Sequence, residues 1–218
     1  MQILTLVLVA LGIFIILRTL ITANRKSPLD DLRNQIRDEQ AANFARAKDI
    51  PAHLFITCDF NFLEHVTYES SAELDASLVI RLTNLNDSLL KKSQDKMLRT
   101  DASFTNLEIK QTYGATNLDK VAEYEGHFYE FIHTANNYAE LLLKTNFFER
   151  AEKILTELIY VAKSDVLKTY TLLLDHYQTQ NQTASLNTLI SNIKTDDNLI
   201  RDVLFKEKVV NYINQHFN

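Results

Sequence analysis

Between residues 71 and 98 the chain repeats one pattern: Leu74, Leu78, Leu82, Leu85, Leu89 and Met97 follow at steps of four, four, three, four and eight residues. Such steps stack side chains on one face of an α-helix and predict a helix over 71–97. Val79, Ile80, Leu90 and Leu98 widen the stripe beyond the narrow seam of a two-stranded coiled coil, so this helix is expected to pack within its own chain. Upstream, Ser27-Pro28 with Asp30 and Asp31 is a helix-start signal: serine caps, proline suits the first position and the acids complement the helix dipole. The helix is predicted to reach residue 48, and its thin apolar stripe of Leu29, Leu32, Ile36 and Phe44 is that of a solvated stalk. Asp49-Ile50-Pro51 ends it. Residues 52–70 have no helical period yet hold Leu54, Phe55, Ile56, Phe60, Phe62, Leu63 and Tyr68, which predicts an irregular segment packed along a helical body.

Thr105-Asn-Leu-Glu108 forms a capping box for a short helix, with Gly114 as its left-handed C-cap. Thr116-Asn-Leu-Asp119 predicts the start of a long helix reaching 145. Within it Gly126 either is tolerated, at a cost of about 1 kcal/mol relative to alanine, or marks a close helix contact. A last helix is predicted over 196–217 with Leu199, Val203, Leu204, Val210 and Ile213 turned inward.

The N-terminal pattern is of another kind. Residues 3–17 carry no charge, and with Arg18 and the neutral residues 19–23 they make a segment of 21. At about 1.5 Å per residue this is about 32 Å of helix, against a hydrocarbon core of about 30 Å. The segment reads as a retained single span, ahead of a cleaved signal peptide, which would want a basic leader, and ahead of a buried core helix. Arg18 can snorkel to the headgroups. Arg18, Arg25, Lys26, Arg33 and Arg37 follow the apolar run and no basic side chain precedes it. The expectation is a cell-membrane protein with its N-terminus outside and its C-terminal body cytoplasmic. The chain then divides into an anchor (1–24), a helical stalk (25–49), a helical domain with a packed irregular segment (50–130) and a repeat region with a capping helix (131–218).

Composition sharpens the class. Three glycines and two prolines occur, where average usage of about 7% Gly and 5% Pro would give about 26. That scarcity argues against a β-sandwich or barrel and excludes glycine-rich phosphate loops. The predicted fold class is all-α. Net charge is −5, and outside residues 1–24 there are 22 basic and 28 acidic side chains, a balance that argues against a nucleic-acid partner. The single cysteine, Cys58, has no basic neighbour in sequence to activate it and is expected to be a small buried hydrophobe.

Beyond Phe131 the chain matches itself at a separation of 34: Tyr138-Ala139 with Leu172-Leu173, Asn146 with Gln180, Ala151 with Ser185 and Leu155 with Leu189. Residues 137–155 resemble the centre of a tetratricopeptide repeat. They have a large-then-small pair in the first helix, Asn146 at the turn where that family often has glycine, aromatics opening the second helix, and the small Ala151 where the helices cross. The second copy, 166–199, departs from the pattern at Leu173 and Gln182, and neither copy ends on the family's usual proline. The whole plan resembles small bacterial membrane-anchored proteins. The resemblance implies a concave groove, lined by the first helices of successive pairs, that receives a peptide or partner helix. It assigns His133, Asn136 and Glu140 to that groove from the first copy, with Tyr170 and Tyr177 from the second as recognition side chains. The competing place for the two tyrosines is beneath the C-terminal helix.

Chemistry is sparse. Glu130-Phe-Ile-His133 is half of a di-iron bundle motif, with no second E-x-x-H to complete it. Glu123, His127 and Glu130 share a helical face, expected to be an exposed hydrogen-bonded row. No H-E-x-x-H, paired-cysteine zinc spacing or G-x-S-x-G occurs. The sequence is therefore read as a non-enzymatic, cofactor-free interaction module at the membrane with a protein or peptide partner. The alternatives are a structural subunit of a membrane complex pairing through helix 71–98, and a metal-binding or hydrolytic protein using the acids and histidines of 116–145.

Overall fold

The computed structural model describes residues 28–69, 74–99 and 105–217 together with Phe14. The predicted span at 3–23 and the cap at Ser27 lie outside the described residues, Phe14 excepted. Among the described residues no helix is long and apolar enough to cross a membrane. Among the described residues the fold is all-α but for one small ladder: α1 (Pro28–Asn43), β1 (Phe55–Ile56), α2 (Ala76–Ser93), β2 (Met97–Leu98), α3 (Asn106–Tyr113), α4 (Leu118–Lys144), α5 (Phe148–Tyr160), α6 (Leu167–Thr179), α7 (Thr183–Thr195) and α8 (Val203–His216). The strands pair antiparallel, Phe55 with Leu98 and Ile56 with Met97.

α1 stops at Asn43 rather than 48 because the next residues are recruited by α3. The Lys48 amide donates to the Tyr113 carbonyl at 3.0 Å, and the backbone of Ala47 lies against Gly114. Ala42 is buried there and Lys110 reaches Glu39 at 3.0 Å, while Leu29, Leu32 and Ile36 stay exposed, as expected of a stalk. Gly114 has the positive φ expected of it, 89°, but with ψ at 150° it is extended rather than helical. The Thr105–Glu108 capping box forms as predicted.

Residues 52–69 pack along the helices as expected. Cys58, Phe60, Leu63 and Tyr68 are buried, Phe60 edge-on to Phe131 at 5.4 Å. α2 is shorter than predicted. Asp75 caps it, accepting the Leu78 amide at 2.8 Å, and it ends at Ser93. Met97 and Leu98 are buried in the ladder with β1 instead of extending the helical stripe. The leucine stripe of α2 survives as Leu82 and Leu89, fully buried, with Asn86 between them.

α4 is the axis of the fold: 27 residues, about 40 Å at 1.5 Å per residue, packed against α2, α5, α6 and β2. It begins at Leu118, not at Thr116, because Ala115–Asn117 form a 3-10 turn. The Asn117 side-chain amide there donates to the carbonyls of Lys48 and Tyr113 at 2.7 and 2.9 Å, joining the segment after α1 to α3 and the start of α4. Gly126 has open space around it and marks no helix contact. The expected division at residue 130 falls inside α4, and one buried cluster runs from Cys58 to Ile213.

α4–α5 and α6–α7 are helical hairpins with the same turn. Asn146 and Asn181 have φ of 63° and 56°. The next amides, of Phe147 and Gln182, donate back to Leu142 and Tyr177 at 2.9 and 2.8 Å, a Schellman-type closure. These turns are 35 residues apart, one more than the sequence register. Asn146 therefore corresponds to Asn181, not Gln180, and Ala151 to Leu186, not Ser185. α8 closes the array, but starts at Val203 because Asp202 caps the Phe205 amide at 3.0 Å. Its buried face is Phe205, Val209 and Ile213; Val203 and Leu204, expected inside, are 69% and 70% exposed.

Candidate interaction groove

α2 and α4 pack through their apolar faces, and their polar shoulders stand apart above that contact. Between them runs a groove of about 640 Å³. From α2 it takes Ser77, Ile80, Arg81, Asn84, Leu85 and Ser88, the helical face beside the leucine stripe. From α4 it takes Asn137, Glu140, Leu141 and Lys144. Ile80 is 61% exposed, the one large hydrophobic so exposed among the described residues of α2.

Charge in the groove is organised around Glu140. Lys144 holds one carboxylate oxygen at 2.5 Å and Lys168, reaching over from α6, holds the other at 2.6 Å. Lys168 also donates to Asn137 Oδ1 at 3.0 Å. The Lys144 hydrogen bond first, and that of Lys168 next, hold the Glu140 carboxyl down to about 2. Among the described residues, the groove holds Arg81, Lys144 and the reaching Lys168 against the single carboxylate of Glu140. The surface thus offers one exposed apolar side chain, Ile80, two amides and a cationic surplus, suited to an acidic amphipathic segment.

The structure keeps part of the expected site and removes the rest. Glu140 lines the groove. His133 is exposed on the same face of α4, beyond the groove's lining. Asn136 does not face the groove: it is buried, and its amide donates to Thr169 Oγ1 at 2.9 Å, bracing α4 on α6. Tyr170 is fully buried, with its hydroxyl on the Ser164 carbonyl at 2.9 Å and its ring edge-on to Phe205 of α8 at 5.6 Å. Tyr177 is buried too and donates to Glu152 at 3.0 Å. Neither tyrosine can serve as an exposed recognition side chain. In the 35-residue register Tyr170 and Tyr177 stand where the first hairpin has the buried Ala135 and Leu142, and the exposed His133 corresponds to Lys168 rather than to Leu167. Lys168 was missed for that reason. Arg81 and Asn84 were missed although the signal was present: positions 77, 81, 84 and 88 are polar at helical spacing along the edge of a leucine stripe.

The other candidates stand apart from the groove. Glu130 is bonded to Lys92 at 2.5 Å, which lowers its carboxyl, and His127 Nδ1 lies 3.2 Å from the Lys96 carbonyl. Among the described residues no group of three His, Cys, Asp or Glu side chains is placed to hold a metal ion. Cys58 is buried, and burial first, with Glu157 nearby second, pushes its thiol up to about 12. Leu82 and Leu89 of the α2 stripe are buried within their own chain, and Leu78 and Leu85 are half-buried.

No family model, curated protein or solved structure matches this chain. Its functional reading rests on the geometry of the groove.

Proposed function

We propose that this chain is a non-enzymatic interaction module whose α2–α4 groove receives an acidic, amphipathic segment of a partner protein. The observation that supports it most is the groove itself: an exposed Ile80 flanked by Arg81, Lys144 and Lys168, with Glu140 already neutralised by two lysines. The two hairpins with matching asparagine turns support a tetratricopeptide-like array. In this proposal the apolar segment 3–23 anchors the protein in the cell membrane, the body faces the cytoplasm, and anchoring raises the effective concentration of a weakly bound partner.

The test is site-specific photocrosslinking in the full chain in its own cells, with the probe at Asn84 or Asn137 and, as control, at the exposed Asn187 on α7. Discrete protein adducts are expected from the two groove positions, absent from Asn187 and lost on Ile80→Glu. Equal adducts at all three positions, or none, reject the groove. Labelling of an engineered surface cysteine in the body of intact cells by an impermeant thiol reagent would reject the orientation.

A further inference from the structure

A second pocket, of about 510 Å³, opens where the α4–α5 turn meets the irregular segment, within the range of about 300–1,000 Å³ that holds small molecules. Its apolar lining is aromatic: Phe62 from the segment, and Phe147 and Phe148 from the start of α5. Glu149, Arg150 and Lys153 supply its charge. The lining shares no residue with that of the α2–α4 groove.

Both cations of this pocket are held by rings and not by acids. The Arg150 guanidinium carbon lies 5.4 Å from the Tyr68 ring centre and 5.5 Å from that of Phe147, over two rings that meet edge to face at 5.2 Å. Its Nη1 donates to the Tyr68 hydroxyl at 2.9 Å, which fixes the place of the group and leaves its charge intact. Lys153 Nζ stands 4.1 Å from the centre of the Phe62 ring. Ring contacts of this kind orient a cation without neutralising it. Among the described residues neither cation is ion-paired with a carboxylate, although Arg150 is half-buried and the chain has a net charge of −5. In the α2–α4 groove, by contrast, two lysines close on Glu140. Glu149, the one acid of the lining, is exposed in the first turn of α5, where it complements the helix dipole. Two cations against one acid leave a single positive charge beside three phenyl rings.

We propose that this pocket is a binding site for an aromatic carboxylate, with the carboxylate at Arg150 and Lys153 and the ring against Phe62, Phe147 and Phe148. A monoanion matches the single positive charge of the lining. The planar guanidinium has N–H groups beyond the one that Tyr68 accepts, in the fork geometry that suits a carboxylate. The phenylalanine faces and edges complement a further aromatic ring. The site is separate from the α2–α4 groove and stands or falls independently of it.

The test is calorimetric titration of phenylacetate into the full chain in non-ionic detergent. Saturable binding is expected, with phenylacetamide, which keeps the ring and lacks the charge, weaker by about tenfold or more, as loss of a charge-assisted hydrogen bond implies. Arg150→Gln is expected to weaken phenylacetate by a similar factor, about tenfold. Lys153 is exposed, so Lys153→Gln reads the site without touching the core, and binding about threefold weaker is expected of it. Lys120→Gln, at an exposed position of α4 outside the pocket, should leave binding unchanged. A peptide ending in phenylalanine separates the sources of such a group. Competition by its free-acid form and not by its C-terminal amide identifies a chain terminus, and competition by neither identifies a free aromatic acid. Absence of saturable phenylacetate binding, equal binding of phenylacetamide, competition by both peptide forms, or binding unchanged in Lys153→Gln overturns the site.

Discussion

The hydroxyl of Tyr68, in the irregular segment, hydrogen-bonds the hydroxyl of Tyr138, in the middle of α4 and 70 positions away. The proton order of this contact follows from its neighbours. Tyr138 donates to Asn86 Oδ1 at 3.0 Å, so it accepts from Tyr68, and Arg150 donates to Tyr68 at 2.9 Å. Asn86 in turn donates to the Leu63 carbonyl at 3.3 Å. One directed chain thus ties the irregular segment, α2, α4 and α5 together inside the core.

Removing the central hydroxyl leaves the buried Asn86 oxygen without its donor. Tyr138→Phe is expected to cost about 1–3 kcal/mol, and Tyr68→Phe less, about 1 kcal/mol. The double variant should fall short of the sum, since both residues serve one network. Urea denaturation of the three variants checks this, and strict additivity of two negligible losses would contradict it.

The same burial makes the fold sensitive to alkali. Tyr129 and Tyr212 are pushed up to about 12 from the ordinary 10.0, and Tyr138, Tyr170 and Tyr177 are also raised, in each case chiefly by burial. Cys58 rises from 9.0 to about 12. Above about pH 9 to 10 the unfolded chain releases protons that the folded chain keeps, so stability declines with rising pH over that range and beyond. Denaturation midpoints measured from pH 8 to pH 11 should fall steadily above about pH 9; a flat profile would refute the linkage.

Acid acts through His176. It is 5% exposed, its ring lies 5.4 Å from that of Phe148, and its Nε2 is 4.0 Å from a Glu152 oxygen without a hydrogen bond. Burial lowers its pKa below the ordinary 6.5, and Glu152 only partly opposes that. Above 6.5 both states hold the ring neutral and its contribution is complete. As pH falls through that value the unfolded chain takes a proton the fold resists, so stability is lost down to the lowered native pKa. His176→Gln should flatten the stability profile between about pH 7 and pH 5, and an NMR titration of the ring measures the native pKa directly.

Two glycines should respond with opposite sign to the same substitution. At Gly114 a Cβ would lie 2.7 Å from the Ala47 Cα, and φ is 89°, so Gly114→Ala is expected to cost about 1–3 kcal/mol. At Gly126, inside α4, nothing lies within 4 Å of the added carbon, so Gly126→Ala is expected to gain about 1 kcal/mol. Thermal denaturation of the two variants decides it.

The failures of sequence reading were local consequences of distant contacts. Thr116 looked like a cap because a capping box is a four-residue pattern, yet Asn117 beside it is drawn to Lys48, 69 positions away. Met97 fitted the leucine stripe, yet a partner strand at Ile56 gave it a buried place outside the helix. Val203 and Leu204 were apolar enough for an inward face, but the Asp202 cap sets the phase of α8 and puts Phe205 inside instead.

What the chain determines by itself is whatever depends on near neighbours: the all-α class, the leucine face of α2, the Thr105 capping box, the buried character of the segment at 52–69 and the inert Cys58. Apolar periodicity and capping act within a few residues, so they are legible without a fold. Tertiary structure alone decided which polar faces meet. A helix turns about 100° per residue, so the register of 35 places Lys168 at the position of the exposed His133, within reach of Glu140, and Tyr170 and Tyr177 at those of the buried Ala135 and Leu142. That register is set at Asn146 and Asn181, by backbone hydrogen bonds that no residue pattern announces.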